Sequence, residues 1–182
     1  MLGSETSMLA SHVVINADFF SETHRLSCRL QVGPSGLLRL LNDANSSLLE
    51  VENAYVSRIQ QPAKIINHFD KVSLNKANLA FAIVNRREDL GVAAVTQSAY
   101  SRLVNVSVEA LTATYEITGQ VEVANKLDAG SLLVGGTSKF VPFYKATAVP
   151  TLYPDATFTG EVIVINRTLV EALAAVGAKG KA

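Results

Sequence analysis

The side chains of this sequence that could do chemistry are few, and their spacing decides what they can do. His12, His24 and His68 are its histidines and Cys28 is its single cysteine. His24 and Cys28 stand four residues apart, a metal-ligand spacing on a helix, but the surrounding residues alternate as a strand and no second His or Cys completes a set. No metal site is expected, and one cysteine cannot close an intrachain disulfide. As a nucleophile, Cys28 would need a neighbouring base or cation to lower its thiol pKa. Arg29 is adjacent in sequence, yet successive strand residues face opposite ways. Cys28 therefore reads as a small residue at a tight inward position.

Paired carboxylates could support hydrolysis if they met in a cleft. Glu50 and Glu52 share one strand face, with Asp43 upstream, but the matching places later in the chain hold Val134 and Gly136. The pair reads as a solvated edge or a salt-bridge partner. GPSG (33–36) and VGGTSK (134–139) contain glycine but lack the full phosphate-loop frame, and Lys139 precedes a strand-like FVPFYK rather than a helix. The expectation is no catalytic residue, no cofactor and no metal, hence not an enzyme.

Binding residues are easier to find. Arg25, Arg29, Arg58, Arg86 and Arg87, with Tyr55 nearby, could face nucleic acid on a small barrel, although the second half offers mainly Arg102, Lys139, Lys145 and Arg167. Two apolar runs stop at the same dipeptide: AFAIVNRRED (80–89) and EVIVINRTLV (161–170). Asn tolerates the turn that ends a strand, and the Arg can then reach a carboxylate or backbone carbonyls. Asn85, Arg86, Asn166 and Arg167, with Arg58 and Tyr55, form the candidate partner-binding set.

The elements that must position these residues are written twice. SHVVINADFFSETHRLSCRLQV (11–32) lies over RLVNVSVEALTATYEITGQVEV (102–123) without a gap, placing Val13 on Val104, Cys28 on Gly119 and Val32 on Val123. SSLLEV (46–51) then resembles GSLLVG (130–135), AYVS (54–57) lies over KFVP (139–142), and IVNR and VINR close the two copies. The alternation of Tyr115, Ile117, Val121 and Val123 against Glu116, Thr118, Gln120 and Glu122 predicts a half-buried strand. SGLLRLLND (35–43) predicts two helical turns behind a Ser35 cap. TLVEALAAVG (168–177) predicts a terminal helix, with Thr168 and Glu171 as a capping box and Leu169, Ala172, Leu173 and Val176 as its stripe.

The fold class is therefore mainly β: two related small barrel-like or sandwich-like units with a short C-terminal helix. The expected division is a flexible lead (1–11), a first β unit (12–91), a short joint (92–101), a second β unit with the terminal helix (102–176) and a frayed tail (177–182). The joint VAAVTQSAYS is partly apolar, so the units should pack together, about a pseudo-twofold axis.

Bulk composition bounds the function. The 182 residues carry 16 basic and 16 acidic side chains, and only 18% are charged against about 25% in ordinary domains. Such balance argues against long-range attraction to phosphate, and so thinly charged a surface suits burial by a partner or a second copy. The start reads as no secretory signal, and no apolar run reaches bilayer length. A cytoplasmic protein without a transmembrane segment is expected.

The run LLRLLNDANSSLLEV with the later AYVS and AIVNRR resembles small, uncharacterised bacterial β-domains that share a leucine-asparagine segment and a terminal Asn-Arg strand. The likeness covers 26–88, with Leu41-Asn42 its cleanest match, and repeats more faintly over 117–168, where Asn125-Lys126 departs from it. It implies a bacterial origin and no catalytic assignment. The functional expectation is a non-enzymatic structural or regulatory protein-interaction module that partners another protein or itself as a homo-oligomer; the alternative is a small-barrel nucleic-acid-binding protein.

Overall fold

The computed structural model describes residues 12–92, 103–124 and 126–176, so the expected lead, most of the joint and the tail lie outside the described residues. Ten strands form one sheet: β1 (Val13–Phe20), β2 (His24–Val32), β3 (Leu48–Arg58), β4 (Gln61–Asn75), β5 (Phe81–Val84), β6 (Val104–Thr112), β7 (Tyr115–Val123), β8 (Phe140–Pro150), β9 (Phe158–Asn166) and β10 (Val170–Ala175). Two short helices, α1 (Gly36–Asn42) and α2 (Ala129–Val134), connect β2 to β3 and β7 to β8. The sheet order is β10-β6-β7-β8-β9-β5-β1-β2-β3-β4, with antiparallel neighbours throughout.

One ten-stranded antiparallel sheet runs through both halves of the chain. The reason lies in β5 and β9. Each is apolar at consecutive positions, because each is covered on both faces. Ala82, Val84, Val162 and Val164 enter a core built mainly from β1 to β4 and α1, whereas Phe81, Ile83, Ile163 and Ile165 enter a core built mainly from β6 to β9. Phe20, Phe81, Tyr115 and Phe143 are fully buried in the second core or within 1% of it. β5 and β9 thus lie between the two cores and send alternate side chains into each.

The outer strands follow the alternation expected of them. Along β7, Tyr115, Ile117 and Val121 are buried while Glu116 and Thr118 are exposed. Gly119 takes the intervening inward place, where an added Cβ would come within 2.9 Å of the Ala146 Cβ and 3.2 Å of the Phe143 Cβ. That crowding explains why glycine stands where β2 carries Cys28.

The predicted terminal helix is a strand. Arg167–Leu169 form a single 3₁₀ turn, and β10 follows, pairing with β6 from Val170↔Thr112 to Ala175↔Val108. The Thr168–Glu171 capping box does not form: Asn166 is the cap, its side-chain oxygen accepting from the Thr168 N–H at 3.2 Å and from the Thr168 hydroxyl at 2.7 Å. An isolated helix of two to three turns is marginal in water, whereas the outer edge of β6 presents a row of backbone groups to be paired. The helical stripe yields to that ladder. Ser35 likewise makes no side-chain cap for α1.

The two halves are tied beyond the sheet. Asn42 donates its Nδ2 to the Phe140 carbonyl at 2.9 Å and accepts from the Phe140 N–H at 2.8 Å. The Tyr115 hydroxyl donates to the Ser21 carbonyl at 2.6 Å. Arg87 pairs with Glu122 at 2.5 Å and lies 4.2 Å from the Tyr144 ring centre.

Candidate functional site

The two Asn-Arg ends do not converge. β5 and β9 are direct antiparallel neighbours, with Phe81 opposite Ile165 and Val84 opposite Val162. Asn85 therefore leaves one end of that ladder and Asn166 the other, about 17 Å apart at ordinary strand rise. Their chemistry also differs. Arg86 turns back on Asp89 at 2.7 Å, and this hydrogen bond, with the Asp89 charge as the lesser cause, raises the guanidinium pKa further. Arg167 donates to the carbonyls of Leu132, Gly135 and Gly136, at the end of α2, with the Leu132 bond at 3.1 Å and the Gly136 bond at 2.8 Å. Such a cation satisfies the carbonyls a helix leaves open at its C-terminus.

The counterpart of Asn166-Arg167 is a pair that the sequence reading passed over. Asn75 caps a 3₁₀ turn (Lys76–Asn78) through its side-chain oxygen, as Asn166 caps the turn at Arg167. Lys76 donates its Nζ to the carbonyls of Leu40 and Asp43, at 3.0 and 2.8 Å, at the end of α1. Burial holds its ammonium pKa down. A basic residue following a capping Asn thus closes the end of each helix. The shared signal is Asn-Lys at 75–76 against Asn-Arg at 166–167, and the more conspicuous Asn85-Arg86 obscured it.

Tyr55 and Asn85 share a surface. They line an open concavity of about 420 Å³ on the outer face of β1, β2 and β3, together with Asn16, Asp18, Ser27 and Arg29. The Tyr55 ring lies 4.5 Å from that of His68, whose Nε2 is 2.7 Å from the Asn53 side-chain oxygen. Arg25 is held to Asp18 at 2.8 Å beside it. Arg58, exposed, sits at the far end of β3, opposite His24 and Gln61. Of the six candidate binding residues, then, two share a surface, and the other four are spread over three places.

The arginines proposed for phosphate are largely engaged: Arg25 with Asp18, Arg86 with Asp89 and Arg87 with Glu122. The carboxylates proposed for hydrolysis are apart. Glu50 and Glu52 face a shallow opening with Lys71, which pairs with Glu50 at 2.6 Å, whereas Asp43 lines concavities beside α1. Among the described residues no three His, Cys, Asp or Glu side chains gather as a metal-binding group, and no helix is long and apolar enough to cross a membrane.

Comparison of the chain with protein-family models, with curated proteins and with solved structures gives no match.

Cys28 is buried, its Sγ donating to the Ala17 carbonyl at 3.6 Å. Burial, and after it the charge of Asp18, pushes the thiol up from 9.0 to about 12. Burial also pushes the Tyr115 phenol up. Between pH 9 and 12 the unfolded thiol has lost its proton while the folded one keeps it, so stability is whole below pH 9 and falls as pH rises. Urea unfolding from pH 8 to 11 should lose up to about 1.4 kcal/mol per pH unit from this group, and Cys28→Ala should flatten the slope. An equally steep slope in that variant would sink the assignment.

Proposed function

We propose that the chain is a tandem pair of one five-stranded unit and works as a non-enzymatic structural or regulatory protein-interaction module that assembles with copies of itself. The duplication is supported by register. Within the first half the strands lie in the order β5-β1-β2-β3-β4, and within the second β10-β6-β7-β8-β9. The pairs Val13↔Val32 and Ala17↔Cys28 have counterparts in Val104↔Val123 and Val108↔Gly119, each residue 91 positions on. Asp18↔Ile83 recurs at the same step as Glu109↔Ala174. The bulges recur as well. The β2–β3 ladder shifts between Ser27 and Arg29 and the β7–β8 ladder between Thr118 and Gln120, and the non-glycine residues with positive φ, Asn53 at 52° and Lys145 at 47°, stand at these two bulges.

The observation that carries the interaction reading is the sheet's two open ends. Among the described residues β4 pairs with β3 alone and β10 with β6 alone, so each presents an outer row of backbone donors and acceptors. Exposed Ile65, Ile66 and Phe69 stand on β4, and Leu111 and Val176 are exposed on or beside the β6–β10 end. Open strands with apolar side chains are templates for pairing with another chain.

Size-exclusion chromatography with light scattering, read at 260 and 280 nm, tests the proposal. A mass at a multiple of 19.4 kDa without nucleic-acid absorbance is expected. A monomer carrying nucleic acid would move the function to a small nucleic-acid-binding protein, and a clean monomer would end the self-assembly reading.

A further inference from the structure

The junction inside the chain shows how such a unit joins the next one. β9 occupies the fourth-strand place of its half and β5 the fifth-strand place of the other, and they pair from Phe81↔Ile165 to Val84↔Val162. β4 and β10 hold those same two places, fourth and fifth, and among the described residues they are the strands left open at the ends of the sheet. We propose that copies of the chain join head to tail, β4 of one against β10 of the next, in the register that β9 and β5 use internally.

The step of 91 residues specifies the contact: Leu74 opposite Ala172 of the next copy, Ser73 opposite Leu173, Val72 opposite Ala174 and Lys71 opposite Ala175. It also assigns the bonds at its end. Inside the chain the Asn166 N–H donates to the Ala80 carbonyl at 2.9 Å and its Nδ2 to the Leu79 carbonyl at 3.0 Å. Asn75 would make the same two bonds to Glu171 and Val170 of the next copy.

Side-chain volumes agree with this pairing. At the internal junction Gly160 lies against Ile83, so closely that an added Cβ would collide with the Ile83 side chain. At the open ends the corresponding residues are Phe69, 41% exposed, and Ala174, exposed. The large member has moved to the other strand, so a small–large contact inside the chain becomes a large–small contact between chains. Ser73 and Lys71 stand where β9 has the buried Val164 and Val162, which makes the outer ladder more polar than the inner one. That is the composition of a contact whose strands must survive in water before they meet.

Because unlike ends meet, each contact leaves one free end of each kind. Growth runs to a closed ring of two or more copies or to an open filament.

The inference rests on the self-assembly reading, and one experiment separates the two. Lys71→Cys with Ala175→Cys places thiols on exposed, opposed positions, whereas Lys71→Cys with Ala172→Cys misses register by three residues and faces the other way. Oxidation of the full chain should yield covalent multimers from the matched pair and monomer from the mismatched pair. Both positions lie at opposite ends of the sheet, so neither pair can close within one chain. Equal yields, or none from either, would overturn the ladder. Light scattering of the same samples shows which idea failed: an assembly without the matched crosslink removes this ladder and leaves self-assembly, whereas a monomer removes both. As a second variant, Ala174→Lys should give a monomer with the circular dichroism of the parent, and its persistence as an assembly would count equally against the ladder.

Discussion

Phe81→Ala should lower the free energy of unfolding by about 4 kcal/mol, the range for emptying a fully buried aromatic position plus its ring contacts. Phe81 is 0% exposed, stacked on Phe20 at 4.4 Å and edge-on to Tyr115 at 4.9 Å. It sits on β5, yet its side chain belongs to the core of the second half. The loss should therefore appear in both halves. Thermal unfolding should move down by about 8–16 °C for a chain of this length, and hydrogen exchange should accelerate along β7 and β9 as well as β5. A loss below about 1.5 kcal/mol would mean that the second core refills the space or does not depend on β5. Protection lost from β1 and β2 alone would contradict the assignment of Phe81 to that core.

Asn166→Ala should cost about 3 kcal/mol, through a cap worth about 1 and a buried carbonyl left without its donor worth about 1–3. Asn166 is 2% exposed. Its oxygen caps the 3₁₀ turn that starts β10, and its Nδ2 reaches the Leu79 carbonyl across the junction between the halves. Asn166→Asp keeps the capping oxygen and loses the donor at neutral pH. Its carboxylate would be buried against a carbonyl, so this variant should be the weaker of the two at pH 7 and recover as acid protonates it. Denaturant unfolding at pH 7 and pH 5 measures both effects. Equal stability of the three proteins at pH 7 would show that the side chain is replaceable by water.

Local pattern carried much of the fold. The alternation of buried Tyr115 and Ile117 with exposed Glu116 and Thr118, the strands within 13–32 and 104–123 and the helix at 36–42 are all found in the structure. Inside and outside are set by period two in a half-buried strand, so the residues themselves report the face. The segments 80–84 and 161–165 carried no such report. Covered on both faces, they lack alternation, and their matching Asn-Arg ends looked like equivalent places in two copies when the strands are in fact neighbours across the junction. GSLLVG misled in the same way. It forms part of α2, whereas SSLLEV, with which its letters agree, leads into strand β3.

The candidate site was legible in proportion to how local its chemistry is. Capping by Asn166 and carbonyl binding by Arg167 follow from a polar turn beside a helix end, and the sequence allowed for both. That Tyr55 and Asn85 share a concavity, and that Arg58 does not, depended on strand order.

By itself, then, the sequence determined a mainly β chain and its strand faces, because these depend on residues close together along the chain. The tertiary structure alone decided that 170–175 is a strand. The helical stripe was real, but the unpaired edge of β6 offered its backbone a ladder that two helical turns in water could not match. It also decided that the halves share one sheet with β4 and β10 at its two ends, because pairing between strands distant in sequence depends on which edges remain free once the local hairpins have closed.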